Sequence, residues 1–262
     1  MSLQNFYDFA VETAWQAGRL TLGYYQTGLR PDFKADDSPV TLADKEAEQF
    51  IRSRIESRFP DHAIVGEEYG VAETEGATHR WFVDPIDGTK SFMRGVPLYA
   101  VLIGLEIEGR IEAGACYFPA LDEMVSAATG LGCWWNGRRA RVSAETDLSR
   151  SIIAHIDTAS FAKYGDKGAA WQRLQQASYY NAGWCDAYGY ALVATGRVEV
   201  ALDPIVNAWD CGPFPVIMRE AGGYYGDWQG NETMHAGEAL ATNWQLLPEV
   251  LALLNGSTKA GA

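Results

Sequence analysis

Trp81-Phe82-Val83-Asp84-Pro85-Ile86-Asp87-Gly88-Thr89 is an apolar run that ends abruptly on acids. Trp81 to Val83 suit a buried strand. Pro85 has no amide proton and a fixed φ, so the strand is expected to stop there. Asp87 follows Asp84 by three residues, and Gly88 permits close backbone approach. Two carboxylates and a carbonyl can then converge on a hard cation, which takes oxygen ligands. The amides of Gly88 and Thr89 can face an anion, more so if they open a helix. Taken alone, the motif reads equally as an exposed acidic turn.

Two further acidic groups stand at element ends. Gly66-Glu67-Glu68 closes a short strand expected at 62–65, although Glu67 and Glu68 by themselves read as solvated carboxylates. Asn207-Ala208-Trp209-Asp210 puts Asp210 at the start of a helix expected at 209–222, where an N-cap is the simplest reading of an Asp. Upstream, Phe6, Phe9, Ala10, Ala14, Ala17 and Leu20 recur at helical spacing. Thr41, with Asp44 three residues on, signals the start of a second helix that Pro60 ends. Residues 98–106, 110–118 and 123–128 read as strands of an antiparallel meander, with turns at Glu108-Gly109 and Asn136-Gly137. Beyond residue 142 the grammar alternates. Strands are expected at 151–155, 198–202 and 239–241, and helices at 166–177, 186–196, 209–222 and 246–254. The chain thus divides into an N-terminal α+β half, residues 1–142, and a C-terminal α/β half, residues 143–262. Residues 256–262 read as a disordered end.

The 262 residues are 47% hydrophobic, enough to bury a sizeable core. Lys and Arg number 21 against 34 Asp and Glu, a net charge of −13, which argues against nucleic acid as a partner. An anionic ligand would need positive charge from elsewhere, and a divalent metal is the candidate. Cys116, Cys133, Cys185 and Cys211 form no CxxC pair. They read as reduced core residues of a cytoplasmic protein, not as a zinc site or a disulfide framework. The N-terminus lacks the features of a signal peptide, and no apolar stretch is long enough to span a bilayer. A soluble protein without a membrane partner is expected.

Three motifs in order, Gly66-Glu67-Glu68, the DPIDGT of 84–89 and Trp209-Asp210 followed by Glu220-Ala221-Gly222-Gly223, resemble the inositol monophosphatase family of Mg2+-dependent phosphatases. Asp36-x-Ser38-Pro39-Val40-Thr41-x-Ala43-Asp44 and Leu192-Val193-Ala194-Thr195-Gly196 extend the resemblance over residues 5–255. It implies an α/β fold, layered as an αβαβα five-layer sandwich, usually in a lithium-sensitive homodimer. It implies a first Mg2+ on Glu67, Asp84 and the Ile86 carbonyl, and a second on Asp84, Asp87 and Asp210. A weaker third ion would touch Glu67. Asp44 and Thr89 would form a hydrogen-bonded pair that orients the attacking water near Glu67. The Gly88 and Thr89 amides would bind the phosphate of a small-molecule monoester. Cys211-Gly212-Pro213-Phe214 departs from the family's usual small-residue run, which bears on the packing after Asp210. The chemistry agrees: phosphomonoester hydrolysis is very slow unaided, and paired divalent ions activate water and neutralise phosphate and leaving-group oxygens.

The continuation Lys90-Ser91-Phe92 resembles the histidinol-phosphate phosphatase branch of the family. Gly183-Trp184-Cys185-Asp186-Ala187-Tyr188 is similar to that branch's Gly-Asp-x-x-Tyr segment, with Trp184 and Cys185 intruding. The resemblance implies hydrolysis of histidinol phosphate, with Asp186, Asp203 and Asp210 on the substrate side. An N-cap is the other reading of Asp186. The alternatives are an inositol-1-phosphate phosphatase or a broad polyol or sugar phosphatase, then a nucleotide 3′-phosphatase, then a catalytically silent metal-binding module. Ser91 speaks against the nucleotide enzyme, and the complete ligand set against the silent module.

Overall fold

Ser2 caps α1 (Leu3–Leu22), accepting from the Asn5 amide, and Phe6, Ala10, Ala14 and Ala17 form the buried stripe of this helix. The structure, a computed structural model, describes residues 2–34, 39–184 and 186–256. Asp36 and Ser38 of the upstream motif, Cys185, and the end of the chain from 257 onward lie outside the described residues. A short antiparallel pair, β1 (Asp32–Phe33) and β2 (Pro39–Val40), precedes α2 (Leu42–Arg58). Thr41 and Asp44 close a reciprocal capping box at the start of α2.

The first sheet is built from β3 (Ala63–Gly66), β4 (Gly70–Ala72), β5 (His79–Asp87), β6 (Ala100–Ile107), β7 (Arg110–Phe118), β8 (Glu123–Ala128), β9 (Gly132–Trp135) and β10 (Arg138–Arg139). Among the described residues its order is β10-β9-β8-β7-β6-β5-β3-β4, with α3 (Thr89–Met93) between β5 and β6. The chain continues as β11 (Ile152–His155), α4 (Thr158–Lys163), α5 (Lys167–Ala177), β12 (Tyr180–Ala182), α6 (Ala187–Ala194) and β13 (Val200–Asp203). It ends as α7 (Ala208–Cys211), α8 (Phe214–Ala221), β14 (Gly223–Gly226), β15 (Ala239–Asn243) and α9 (Leu247–Leu254). The second sheet has the order β12-β11-β13-β15-β14. β11 runs parallel to β12 and β13, whereas β15 is antiparallel to β13 and β14.

The alternation of side chains along each strand assigns the layers. Trp81, Val83, Val101 and Ile103 face α1 and α2, packing on Phe6, Ile51 and Ile55. Phe82 and Leu102, one residue out of phase, face α6 and α8 and pack with Val193, Phe214 and Ile217. Ala154, Ala201 and Ala241 close that middle layer from the second sheet. Their neighbours Ile153, Val200, Leu202 and Leu240 point outward to Phe161, Trp171 and Val250 of α4, α5 and α9. The result is a five-layer αβαβα sandwich.

Two expectations are corrected. Pro85 does not end β5, which runs on to Asp87. Asp84 pairs with Leu102 and Asp87 with Ala100, so one extra residue is absorbed in a bulge that accommodates the missing amide. The single helix expected at 209–222 is two helices, broken at Gly212-Pro213. Cys116, Cys133 and Cys211 are buried and free. Among the described residues no helix is long and apolar enough to cross a membrane.

Candidate active site

The bulge in β5 turns Asp84 and Asp87 toward one place. Asp84 Oδ1 accepts from the Ile86 amide at 3.0 Å, a local turn that the Pro85 φ favours. Gly88 follows with a left-handed φ of 79° and opens α3, so Gly there avoids the strain that a side chain would meet. Asp87 Oδ2 accepts from the Ala187 amide at 2.8 Å, which ties the start of α6 to the end of β5. Asp210 arrives from the opposite half. It is the third residue of α7, not its N-cap: Asn207 holds that position, and Asp210 Oδ2 accepts from the Asn207 amide at 2.7 Å. One carboxylate oxygen from each of Asp84, Asp87 and Asp210 lies within 4.8 Å of the others.

This donor set suits a hard divalent cation, because every available ligand atom is oxygen and the three carboxylates repel one another. Burial, with Glu67, Asp87 and Asp210 alongside, pushes Asp84 well above the usual carboxylate range. Burial, then Asp186 and Asp210, does the same to Asp87. Asp210 is raised to about 7, mainly by burial. A cation among them reverses the penalty for ionisation.

Glu67 extends from the end of β3, its amide donating to Val83 O at 3.2 Å, so β3 and β5 end side by side. Its carboxylate stands outside the three-acid group. Lys34 Nζ binds Glu67 Oε1 and Glu68 Oε1, each at 2.8 Å. The turn that carries both Glu residues rests on Glu48. That buried carboxylate accepts from the Glu68 amide at 2.7 Å, the Tyr69 amide at 3.1 Å and Arg52 Nε at 2.7 Å. A Cβ on Gly66 would fall 2.1 Å from Glu48 Oε1, so the turn and its prop fit only with glycine there. Neither Lys34 nor Glu48 was picked out from sequence. Glu48, read as part of a helix, has a helical (i, i+4) partner in Arg52, the one local sign of it.

Asp44 is buried at the start of α2. Its Oδ2 accepts from the Thr41 amide at 2.8 Å and from the Thr41 hydroxyl, while Oδ1 lies 3.4 Å from Thr89 Oγ1. The Thr89 hydroxyl is also 3.2 Å from Ile86 O. Burial raises Asp44 to about 6 against the opposing Thr41 hydrogen bonds.

Asp186 precedes α6 at φ 55°, a left-handed conformation uncommon outside glycine, and its side chain makes no capping hydrogen bond. Its Oδ2 lies 3.0 Å from the position a Cβ on Gly88 would take, which brings it beside the start of α3. Asp203 ends β13, buried, and accepts from the Tyr190 hydroxyl. Burial above all raises it to about 8. Asp186 and Asp203 line one small recess together with His155, Trp184 and Tyr190.

Residues 2–259 match the model of a family described as the inositol monophosphatase family. A histidinol-phosphatase of Chlorobaculum parvum is 42% identical over 234 residues, covering 89% of this chain and 90% of that protein. An inositol-1-monophosphatase of Mesorhizobium japonicum is 33% identical over 234 residues, covering 86% of each. The structure of an inositol monophosphatase from Anabaena (Nostoc) superposes with a TM-score of 0.86 at 28% identity, covering 99% of both chains.

Proposed function

The chain belongs to the inositol monophosphatase family and is a magnesium-dependent phosphatase, and from that premise we propose that it hydrolyses histidinol phosphate to histidinol and phosphate. The observation that carries the choice of ester is the placement of two further acids beside the three-acid cluster, Asp186 against Gly88 and Asp203 at the end of β13. Two carboxylates suit the ammonium and imidazole of an amino alcohol better than they suit a neutral polyol. The similarity to a histidinol-phosphatase supports the same ester.

Glu67, Asp84 and the Ile86 carbonyl would hold one Mg2+, Asp84, Asp87 and Asp210 a second, and Glu67 a weaker third. When bound, Mg2+ supplies Lewis-acid stabilisation of the phosphate oxygens and a more acidic water. A cation at Glu67 competes with Lys34 for the carboxylate. The Thr89 hydroxyl, set between Asp44 and Ile86 O, orients the attacking water near Glu67. The Gly88 and Thr89 amides at the head of α3 bind phosphate oxygens. Water oxygen forms the new P–O bond as the P–O bond to the alcohol breaks, and a proton ends on the released hydroxyl. The ammonium of the leaving alcohol rests on Asp186 and Asp203. Buried free cysteines support a cytoplasmic location. The exposed Tyr179 and Tyr180, beside the open edge of β12, support a homodimer.

The test is kcat/KM for histidinol phosphate, inositol 1-phosphate and adenosine 3′,5′-bisphosphate, each in Mg2+ and in EDTA. Histidinol phosphate should lead by roughly tenfold to a hundredfold, the value of a charge-assisted hydrogen bond. A preference for inositol 1-phosphate, the activity named for the Mesorhizobium relative, would overturn the histidinol reading. Full turnover in EDTA would overturn the assignment of the metal.

A further inference from the structure

We propose that Glu48, with Arg52 beside it, is a positioning residue for the reaction: the pair sets where Glu67 stands relative to Thr89, and so how tightly Glu67 holds Mg2+. This rests on Glu67 being a metal ligand beside the attacking water, as proposed for the phosphatase, and not on the choice of ester. The two sides of that water site belong to different elements. Thr89 opens α3 after β5, whereas Glu67 follows β3. Helix α2 reaches both. Asp44, Glu48 and Arg52 recur on it every four residues and therefore stand on one face. All three are buried, a costly placement for charge unless each is partnered.

Asp44, in the first turn of α2, meets Thr89, Oδ1 to Oγ1 at 3.4 Å. One turn later, about 6 Å along the axis, Glu48 meets the other side. Gly66 pairs with Gly70 across β3 and β4, so Glu67, Glu68 and Tyr69 form the loop of that hairpin. The amides of this loop all have acceptors outside it. The Glu67 amide donates to Val83 O at 3.2 Å, the Glu68 amide to Glu48 Oε2 at 2.7 Å and the Tyr69 amide to Glu48 Oε1 at 3.1 Å. Arg52 donates from Nε to Glu48 Oε1 at 2.7 Å and from Nη2 to Gly70 O. Backbone groups of three successive residues, 68 to 70, are thus tied to α2 by one ion pair. Apolar packing does little of this work, since Tyr69 and Val71 are exposed. The pair also presses on the residue before the loop: a Cβ on Gly66 would fall 2.1 Å from Glu48 Oε1 and 2.8 Å from Arg52 Nη2. A carboxylate is required for the set of contacts. Its two oxygens accept three N–H groups, and the NH2 of a glutamine would have to face at least one of them. Helix α2 therefore acts as a ruler, with Asp44 on Thr89 at one mark and Glu48 on the Glu67 loop at the next.

The experiment titrates Mg2+ into the metal-free full-length protein by calorimetry and measures hydrolysis of 4-nitrophenyl phosphate in parallel. Glu67→Gln identifies the binding step that uses Glu67. Glu48→Gln, which keeps the shape of the side chain, should weaken that step about tenfold to a hundredfold, the scale of losing the support behind a metal ligand. The step carried by Asp84, Asp87 and Asp210 should be retained. At saturating Mg2+, kcat should fall about tenfold or more while KM changes less than about twofold, since the loss is one of placement. Gly66→Ala pushes on the same carboxylate from the loop side and should weaken the same step. The double variant should be little worse than the poorer single one, because the two changes disturb one contact. Ile51→Val, which opens a small cavity on the apolar face of α2, should lower stability to urea and leave both Mg2+ steps and kcat in place. If Glu48→Gln does not fold, Gly66→Ala set against Ile51→Val carries the same test. Glu48 and Gly66 variants that bind Mg2+ as wild type does, or that weaken both steps equally, would overturn the positioning role. If Glu67→Gln weakens a step that these variants leave intact, the positioning role fails alone. If Glu67→Gln itself leaves the titration unchanged, the assignment of Glu67 as a metal ligand fails, and this inference with it.

Discussion

Asp87 is held by one hydrogen bond and repelled by its neighbours. The Ala187 amide fixes Oδ2 at 2.8 Å, while Asp186 and Asp210 crowd the same buried space. Asp87→Asn can keep the Ala187 contact through its carbonyl oxygen, so the fold should survive and the charge alone is lost. Turnover should fall about 10³-fold and the Mg2+ midpoint should rise, because a fixed anionic ligand is gone. Steady-state rates across a Mg2+ titration check this, and an unchanged midpoint would remove Asp87 from the metal set. The acids of this site were legible because they fall in short motifs at strand and helix ends. Lys34 and Glu48 were not: Lys34 is a single charge without local pattern, the (i, i+4) Arg52 of Glu48 marks no more than a helix, and each finds its role across the fold. Asp210 shows a subtler gap: Asp at N-cap and Asp three residues later are both common, and only the position of Asn207 decides between them.

The break between α7 and α8 is where element packing sets the site. Gly104 and Gly114 pair across β6 and β7 and leave a trough in the sheet. Gly212 and Pro213 settle into it: a Cβ on Gly104 would lie 2.1 Å from Gly212 O, and one on Gly114 2.7 Å from Pro213 Cα. This backbone contact ends α7 and holds Asp210 close to β5. Gly104→Ala should therefore destabilise the protein by about 1–3 kcal/mol, the usual penalty of overpacking. It should also raise the Mg2+ needed for half activity, because α7 must move outward. Urea unfolding and a Mg2+ titration report the two effects separately. Unaltered stability would mean that the contact is loose and the break is due to Pro213 alone. The helical pattern of 209–222 concealed this break, since its apolar face is nearly continuous through Cys211 and Phe214, both buried. The bulge at Pro85 was hidden for a related reason: an edge or bulge can take a proline that a regular ladder cannot. Strand β14, Gly-Tyr-Tyr-Gly, has no alternation to reveal it, whereas the long strands of the meander and the two N-terminal helices declared themselves by period.

The whole molecule brings acids from both halves into its interior, and that sets an unusual pH dependence. Burial, the leading cause in each case, raises Asp203 to about 8, Asp210 to about 7 and Asp44 to about 6. A carboxyl with a raised folded pKa binds more protons in the folded chain than in the unfolded one. Its stabilising contribution is complete below the ordinary carboxylate range and is lost as pH rises through the folded value. Without metal, stability should therefore decline from about pH 4 to about pH 8, the window between ordinary carboxylates and Asp203. Mg2+ binds the ionised cluster in the folded state only, so the gap between melting temperatures in Mg2+ and in EDTA should widen over the same window. Asp203→Asn separates the contributions, because Asp203 is not among the metal ligands and its neutral replacement should flatten the upper part of the EDTA curve alone. The acidity of the sequence, at −13, already called for a cation wherever an anionic substrate is bound. The layered fold adds that the cation must also hold together carboxylates which the metal-free chain keeps folded most readily when they are protonated. Melting curves across that range, in EDTA and in Mg2+, decide it. A flat EDTA curve would show these carboxylates to be ionised and hydrated in the folded protein.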